Sequence, residues 1–288
     1  MTGDLDQRLA RLGSCDDVDE LVDLGCDLAD ADRHAEAEDC FRRARDLGSA
    51  VAAFDLGNTL AAQQRWDEAV HAYERAIEGG ETDAWLNLGL ALEELGDIAG
   101  AMRAFQGAAR AGDKNGALAL AFCLHDQGEH EQAFTAAREA ADSGNAAAVG
   151  VLACWEWDQT LDPTLEPALR AGADHYPGGR VALADLLRTT GRVTEARASL
   201  EHGAKLGERE CWLPLGNLYL DELGDVGAAE AAYRSGIAAG DAYCHHNLGL
   251  LLHEQGADAE ANKQFSLGAA AGDELAALAL QDRTDDQS

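Results

Sequence analysis

Lysine is nearly missing from this chain of 288 residues: 3 lysines and 19 arginines face 53 acidic residues, for a formal net charge of −31. A negative field of that size repels phosphate backbones and anionic membrane surfaces, so neither nucleic acid nor membrane is expected as a partner. No run approaches the roughly 18 apolar residues of a membrane span, and Met1 to Ala10 lacks the basic start and apolar stretch of a signal peptide. The cytoplasm is the default expectation. Seven cysteines (Cys15, Cys26, Cys40, Cys123, Cys154, Cys211 and Cys244) form no C-x-x-C pair and are odd in number, which argues against a disulfide framework and a thiolate metal site. They are read as reduced and mostly buried. Walker loops, G-x-G-x-x-G turns and H-E-x-x-H helices are absent, so no enzyme, cofactor or metal is expected.

Proline is scarce, at 4 residues, and aromatics make up 6%, whereas glycine reaches 31 and alanine is abundant. That balance points to many short helices, closely packed and punctuated by glycine. A 47% hydrophobic share is enough for a sizeable core and excludes a disordered acidic tail.

What is present is a ruler. Leu followed by Gly or Ala recurs at Leu24-Gly25, Leu56-Gly57, Leu88-Gly89, Leu120-Ala121, Leu152-Ala153, Leu183-Ala184, Leu215-Gly216 and Leu248-Gly249. The small residues lie 32, 32, 32, 32, 31, 32 and 33 apart, a period that marks stacked repeats. Twelve residues past most anchors stands another small residue (Ala37, Ala69, Ala101, Ala133, Ala196, Ala261), and Ala229 fits if one residue is inserted after Gly216. A large or aromatic residue follows four later at Phe41, Tyr73, Phe105, Leu200, Tyr233 and Phe265, which places them on one helical stripe. Each unit closes on a glycine (Gly48, Gly80, Gly112, Gly144, Gly207, Gly240, Gly272), and Ser49, Asp113, Asn145, Asp241 and Asp273 are placed to cap the next helix. Helix, turn, helix, stop is the unit. One such pair cannot bury its own stripes, so stacking supplies the core.

Trp85-x-x-Leu88-Gly89-x-x-Leu92 followed by Ala101-x-x-x-Phe105, and Trp212-x-x-Leu215-Gly216-x-x-Tyr219 followed by Ala229-x-x-x-Tyr233, resemble the tetratricopeptide repeat. Unit ends such as Ala108 to Asp113 and Ala269 to Asp273 resemble the related Sel1-like repeats. The period is slightly shorter than the tetratricopeptide norm, and the proline at unit ends is missing. The expected fold is all-α: a right-handed α-α superhelical solenoid of about eight helix-turn-helix repeats. Residues 1–13 (Leu5, Leu9, Leu12) form an N-terminal cap. Repeats fall at about 17–48, 49–80, 81–112, 113–144, 145–178, 179–207, 208–240 and 241–272, within 14–272. Residues 273–288 (Leu275, Leu278, Leu280) form a C-terminal cap and acidic tail. The fifth repeat is degenerate, with Pro163, Pro167, Pro177 and the pair Trp155 and Trp157, and is read either as a bend or as a binding sub-site.

The resemblance implies that first helices line a concave groove. First-helix segments carry Asp19, Asp23, Asp27, Asp30, Asp55, Asp83, Glu93, Glu94, Asp126, Asp158, Asp185, Asp221 and Glu254 and almost no cations except Lys114, Arg180 and Arg188, while most arginines fall on second helices. The lysine and arginine clamp by which some relatives hold a C-terminal carboxylate is absent: Val22, Cys26, Phe54, Asn58, Leu86 and Leu90 stand there. The expected partner is therefore a protein or peptide segment of basic or neutral character, or else the acidity serves solubility alone. Asn58, Asn87, Asn217 and Asn247 occupy neighbouring lanes of one face, and amides offer both donor and acceptor to a peptide backbone. This resembles the asparagine ladder of some superhelices, interrupted in the central repeats; helix-capping or bonding between repeats is the equal alternative. Four places past the anchor stand Glu93, His125, Trp157 and Arg188, a mixed lane suited to a hot spot. His246 is a further groove candidate, and the cluster Cys244, His245, His246 and His253 has spacings poorly suited to a metal. The expected function is a non-enzymatic interaction scaffold, with a regulatory subunit that binds a small molecule near the fifth repeat as the alternative.

Overall fold

The computed structural model describes residues 2–12 and 17–285. Cys15, the Leu12 side chain and the end of the acidic tail lie outside the described residues. All regular structure among the described residues is helical, and the chain divides into two compact units, Met1–Asn145 and Ala146–Ser288.

In the first unit, helix α1 (Thr2–Leu12) packs on α2 (Val18–Asp30), and antiparallel neighbours follow: α2 with α3 (His34–Asp46), α4 (Ala50–Ala62) with α5 (Trp66–Glu78), α6 (Ala84–Glu94) with α7 (Ile98–Arg110), and α8 (Lys114–Asp126) with α9 (His130–Asp142). The second unit pairs α10 (Ala146–Thr160) with the short α11 (Glu166–Gly172), and α12 (Pro177–Thr189) with α13 (Val193–Leu206). Helix α14 (Trp212–Asn217) runs on into a π-helical turn, Leu218–Glu222, and packs on α15 (Val226–Ala238). Helices α16 (Tyr243–Glu254), α17 (Asp258–Ala270) and α18 (Glu274–Asp285) complete it.

Caps and glycines set the helix ends. Asp17, Ser49, Asp97, Asp113 and Asp225 each accept a backbone N–H of the helix they precede, satisfying amides that have no partner within the helix. Asp241 and Asp273 do the same for Tyr243 and Leu275. Asn145 sends its amide back across the preceding hairpin, to the Lys114 carbonyl (3.0 Å) and Asn115 (3.1 Å). Gly48, at φ 100°, ends its repeat in the left-handed conformation that lets the Ser49 N–H reach back to the Ala44 carbonyl.

The core is made by the anchors. Phe41, Tyr73, Phe105, Tyr233 and Phe265 are all buried, each contributing about 1.5–3 kcal/mol of burial, and each ring lies against an anchor glycine. A Cβ at Gly89 would fall well inside contact distance of the Phe105 ring, and one at Gly57 would do so against Tyr73. Where the anchor is alanine, the residue sixteen on is Ala137, Leu169 or Leu200. Glycine at the anchor and a ring on the facing helix are therefore one packing solution, and alanine with an aliphatic residue is the other.

Three expectations need correction. Trp157 is not on the groove surface but 3% exposed in the second unit's core with Leu169 and Leu183, the apolar body of its indole packed inward and its N–H satisfied by Asp185. Of the expected C-terminal cap residues, Leu280 packs on the core beside buried Ala276, whereas Leu275 and Leu278 are exposed on the outer side of α18. Arg180, counted from sequence among the first-helix cations, is 5% exposed and structural: it bonds Glu208 (2.8 Å), Asp174 (3.0 Å) and the Ala173 carbonyl (3.0 Å), tying the end of α11 to the next repeat.

Candidate functional site

Each anchor glycine places the next residue on the outer face of its first helix. In the first unit that residue is Asn58, whose Oδ1 accepts from the Tyr73 hydroxyl (3.0 Å) and from Asn87 Nδ2 of the following first helix (2.8 Å). The second unit repeats the arrangement: Asn217 Oδ1 accepts from Tyr233 (2.7 Å) and Asn247 (2.7 Å). Burial pushes both tyrosine hydroxyls up to about 12, so they remain protonated donors. The asparagines thus bond between repeats, and among the described residues the amide nitrogens of Asn58 and Asn217 and the amide oxygens of Asn87 and Asn247 take no part in these bonds. Sequence reasoning missed the tyrosines. The signal was available: asparagine follows the anchor only where the facing ring is tyrosine, and Cys26, Leu90 and Leu250 stand there when it is phenylalanine.

In the first unit Asn58 and Asn87 line a cavity of about 400 Å³ with Trp66, Leu90, Glu93 and Glu94. Glu93 accepts from the buried Cys123 thiol at 2.8 Å, and burial with this contact pushes the thiol up to about 12. His125 packs edge-on to His130 at 5.0 Å and lies 3.9 Å from Asp126. Asp55 is half-buried on α4, where burial and then Glu81 push its carboxyl up. Asp83 is exposed at the start of α6. Cys26 lies 3.9 Å from Asp55; burial, then Asp55, Asp23, Asp30 and Asp27, push its thiol up to about 11.

In the second unit Asp185, Arg188 and Asn217 share a second cavity of about 400 Å³ with Asp221 and Glu222, which the sequence reading had not connected to them. Buried Trp157 reaches this site from beneath, donating Nε1 to Asp185 Oδ2 at 3.1 Å. The His246 ring lies 6.0 Å from Phe265, and its buried Nδ1 has no hydrogen-bond partner among the described residues. Cys244, His245 and His253 turn to different partners, Asp241, Gln264 and Asp258. No group of three potential ligands converges on a metal among the described residues, and no helix among them is long and apolar enough to cross a membrane.

Charge is divided by helix. In the first unit α2, α4, α6 and α8 hold a single Lys or Arg, Lys114. Several second-helix arginines are neutralised where they stand, as Arg42 is by Glu38 and Glu68, Arg75 by Glu78 and Arg170 by Glu166 and Glu195. A recurrent clamp was not foreseen. Arg33, Arg65 and Arg192 each precede a second helix, hold the Glu three residues on (Glu36, Glu68, Glu195), and reach back to Asp6, Glu38 or Glu166 of the preceding segment. The guanidinium hydrogen bonds hold Glu36, Glu68 and Glu195 below the usual carboxylate range.

A tetratricopeptide-repeat family model matches residues 22–78 and 54–116. Two solved Sel1-type structures superpose on nearly the whole chain: c5321, a protective antigen of uropathogenic Escherichia coli with an SLR fold (TM-score 0.63, 22% identity, 96% of this chain and 66% of that one), and a Sel1 repeat protein from Oxalobacter formigenes (TM-score 0.63, 20% identity, 96% and 89%). Residues 22–116 thus match tetratricopeptide repeats, and the chain has the tetratricopeptide/Sel1-like repeat fold. A chain of the APC/C hetero-tetramer Cut9–Hcn1 is similar as well (TM-score 0.62, 16% identity, 95% and 57%). This repeat protein therefore spans under two thirds of the length of the first and third of these relatives, and at such identities the likeness is one of fold. No curated protein matches it in sequence. Tetratricopeptide/Sel1-like repeat proteins are generally protein-interaction scaffolds.

Proposed function

We infer that this repeat protein is a non-enzymatic scaffold whose first-helix face takes a basic or neutral segment of a protein partner. The observation that carries this reading is a row of exposed carboxylates five places past the anchors: Asp30, Glu94 and Asp126 in the first unit, Asp158, Asp221 and Glu254 in the second, interrupted only at Ala62 and Thr189. Solubility requires scattered charge, not a fixed register. Beside the row, the amide nitrogen and amide oxygen that take no part in the bonds of each asparagine pair match one peptide group, and exposed Leu90 and Leu250 offer apolar contact to the stems of long side chains. A regulatory subunit that binds a small molecule is the second reading, favoured by the cavity over Trp157 and Asp185.

Selection from a random peptide display library tests the first reading. Enriched peptides are expected to carry net positive charge, and Glu94→Lys with Asp126→Lys is expected to abolish enrichment while Asp67→Lys with Glu74→Lys on α5 leaves it intact. Enrichment of acidic peptides, or equal loss from both faces, contradicts it.

A further inference from the structure

The anchor-to-anchor distance from Gly216 to Gly249 is 33 residues, one more than the common period, and the extra residue is absorbed in one place. After Asn217 the helix widens into the π-helical turn Leu218–Glu222. Such turns are rare, occur mostly as single insertions in α-helices, and are frequent at functional sites. Here the insertion sets Leu218, Asp221 and Glu222 on the wall of the second unit's cavity, opposite Val181, Asp185 and Arg188 of α12.

Two carboxylates from different repeats already converge there on a guanidinium. Arg188 Nη2 is 2.8 Å from Asp185 Oδ1, and its Nη1 is 3.4 Å from Glu222 Oε1. The pairs are exposed, with Arg188 at 43% and Glu222 at 34%, so they contribute little stability and exchange readily. Asp185 is fixed from behind by Trp157. Asp221 has no ion-pair partner among the described residues, and the site keeps a net negative charge with Arg188 in place.

The geometry points to a subsite for one arginine or lysine side chain of a partner segment, its cation among Asp185, Asp221 and Glu222, its stem on Val181, Pro214 and Leu218, with Arg188 as the resident cation it displaces. This rests on the reading of the first-helix face as a binder of cationic segments and says where in the second unit the cation goes. A segment is favoured over a free cation because the cavity adjoins a second space of about 570 Å³, sharing Val181, Pro214 and Asn217 with it and reaching Tyr243, which is 60% exposed. A chain that placed one side chain in the pocket would have a surface along which to continue.

Calorimetry on the full chain tests the subsite with four probes: butylguanidinium, uncharged butylurea, and two heptapeptides that differ only in a central arginine or citrulline. The arginine peptide is expected to bind at least about tenfold tighter than the citrulline peptide, and butylguanidinium tighter than butylurea. Asp221→Asn with Glu222→Gln, both exposed positions, should erase these preferences with an unchanged melting curve. Arg188→Ala should tighten arginine-peptide binding by about threefold, since the competing cation is gone. Equal affinity for the arginine and citrulline peptides, or a preference that survives the Asp221 and Glu222 changes, overturns the subsite. Butylguanidinium that binds as tightly as the arginine peptide overturns the assignment to a partner segment. Loss of the arginine preference in Glu94→Gln with Asp126→Asn, but not in the Asp221 and Glu222 variant, leaves the acidic face standing and removes the subsite alone. No arginine preference in the wild-type chain removes both.

Discussion

Gln64 holds a left-handed backbone, φ 58°, at the hairpin turn where Gly96 and Gly128 stand one and two periods later with φ 77°. A residue with a Cβ costs about 1–2 kcal/mol there, partly offset by the greater chain entropy that glycine loses on folding. Gln64→Gly is therefore expected to stabilise the protein, raising Tm by about 2 °C in a thermal melt; a lower Tm would show that the turn is not strained. Cys26 gives a second residue-scale test. It is exposed, yet burial of its sulfur and the four surrounding aspartates raise the thiol to about 11. A raised thiol is neutral below that pH, so iodoacetamide labelling of Cys26, followed by mass spectrometry, should be negligible at neutral pH and climb as pH approaches 11. Rapid labelling at neutral pH would mean that the acidic field is absent. Legibility in the sequence was lowest at this scale. The asparagine lanes could be read because they follow the anchor, but Trp157 could not be placed, since its burial depends on packing with Leu169 and Leu183 of neighbouring helices and not on its own register.

Elements were the most legible scale, because the period and the helix-ending glycines are local signals. Less visible was the reason for the anchors. The ring of Phe105 lies where a side chain at Gly89 would have to go, so Gly89→Ala is expected to cost about 1–3 kcal/mol by overpacking. Adding Phe105→Leu should recover much of that loss, because Ala184 with Leu200 already packs this way. A double-mutant cycle by chemical denaturation measures the coupling; additive losses would show that glycine serves some need other than the ring. The insertion after Gly216 was legible as a count and not as a shape. One extra residue in a helical register can become a bulge, a longer loop or a π-helical turn, and only packing of Leu218 and Tyr219 against their neighbours decides which. The arginine clamps were hidden for a related reason: each links residues 26 or 27 apart that meet only after repeats stack.

The net charge of −31 belongs to the whole molecule. Like charges held close in the folded state repel, and salt shortens the range of that repulsion from about 30 Å at 0.01 M to about 3 Å at 1 M. Rising salt also weakens the clamps, but carboxylates outnumber cations by 31, so Tm is expected to rise with sodium chloride in a thermal melt; a fall would show that the ion pairs outweigh the repulsion. Fold class was legible at this scale from the ruler alone, whereas the cavities were not, since each needs side chains from neighbouring repeats. The account stands or falls on the first-helix face. Fluorescence anisotropy of a labelled arginine-rich heptapeptide, titrated with the wild-type chain and with Glu94→Lys plus Asp126→Lys, tests it most directly. The account predicts wild-type binding that weakens at least about tenfold between about 50 and 500 mM salt and is lost in the variant. Binding indifferent to salt, or retained in full by the variant, would contradict it.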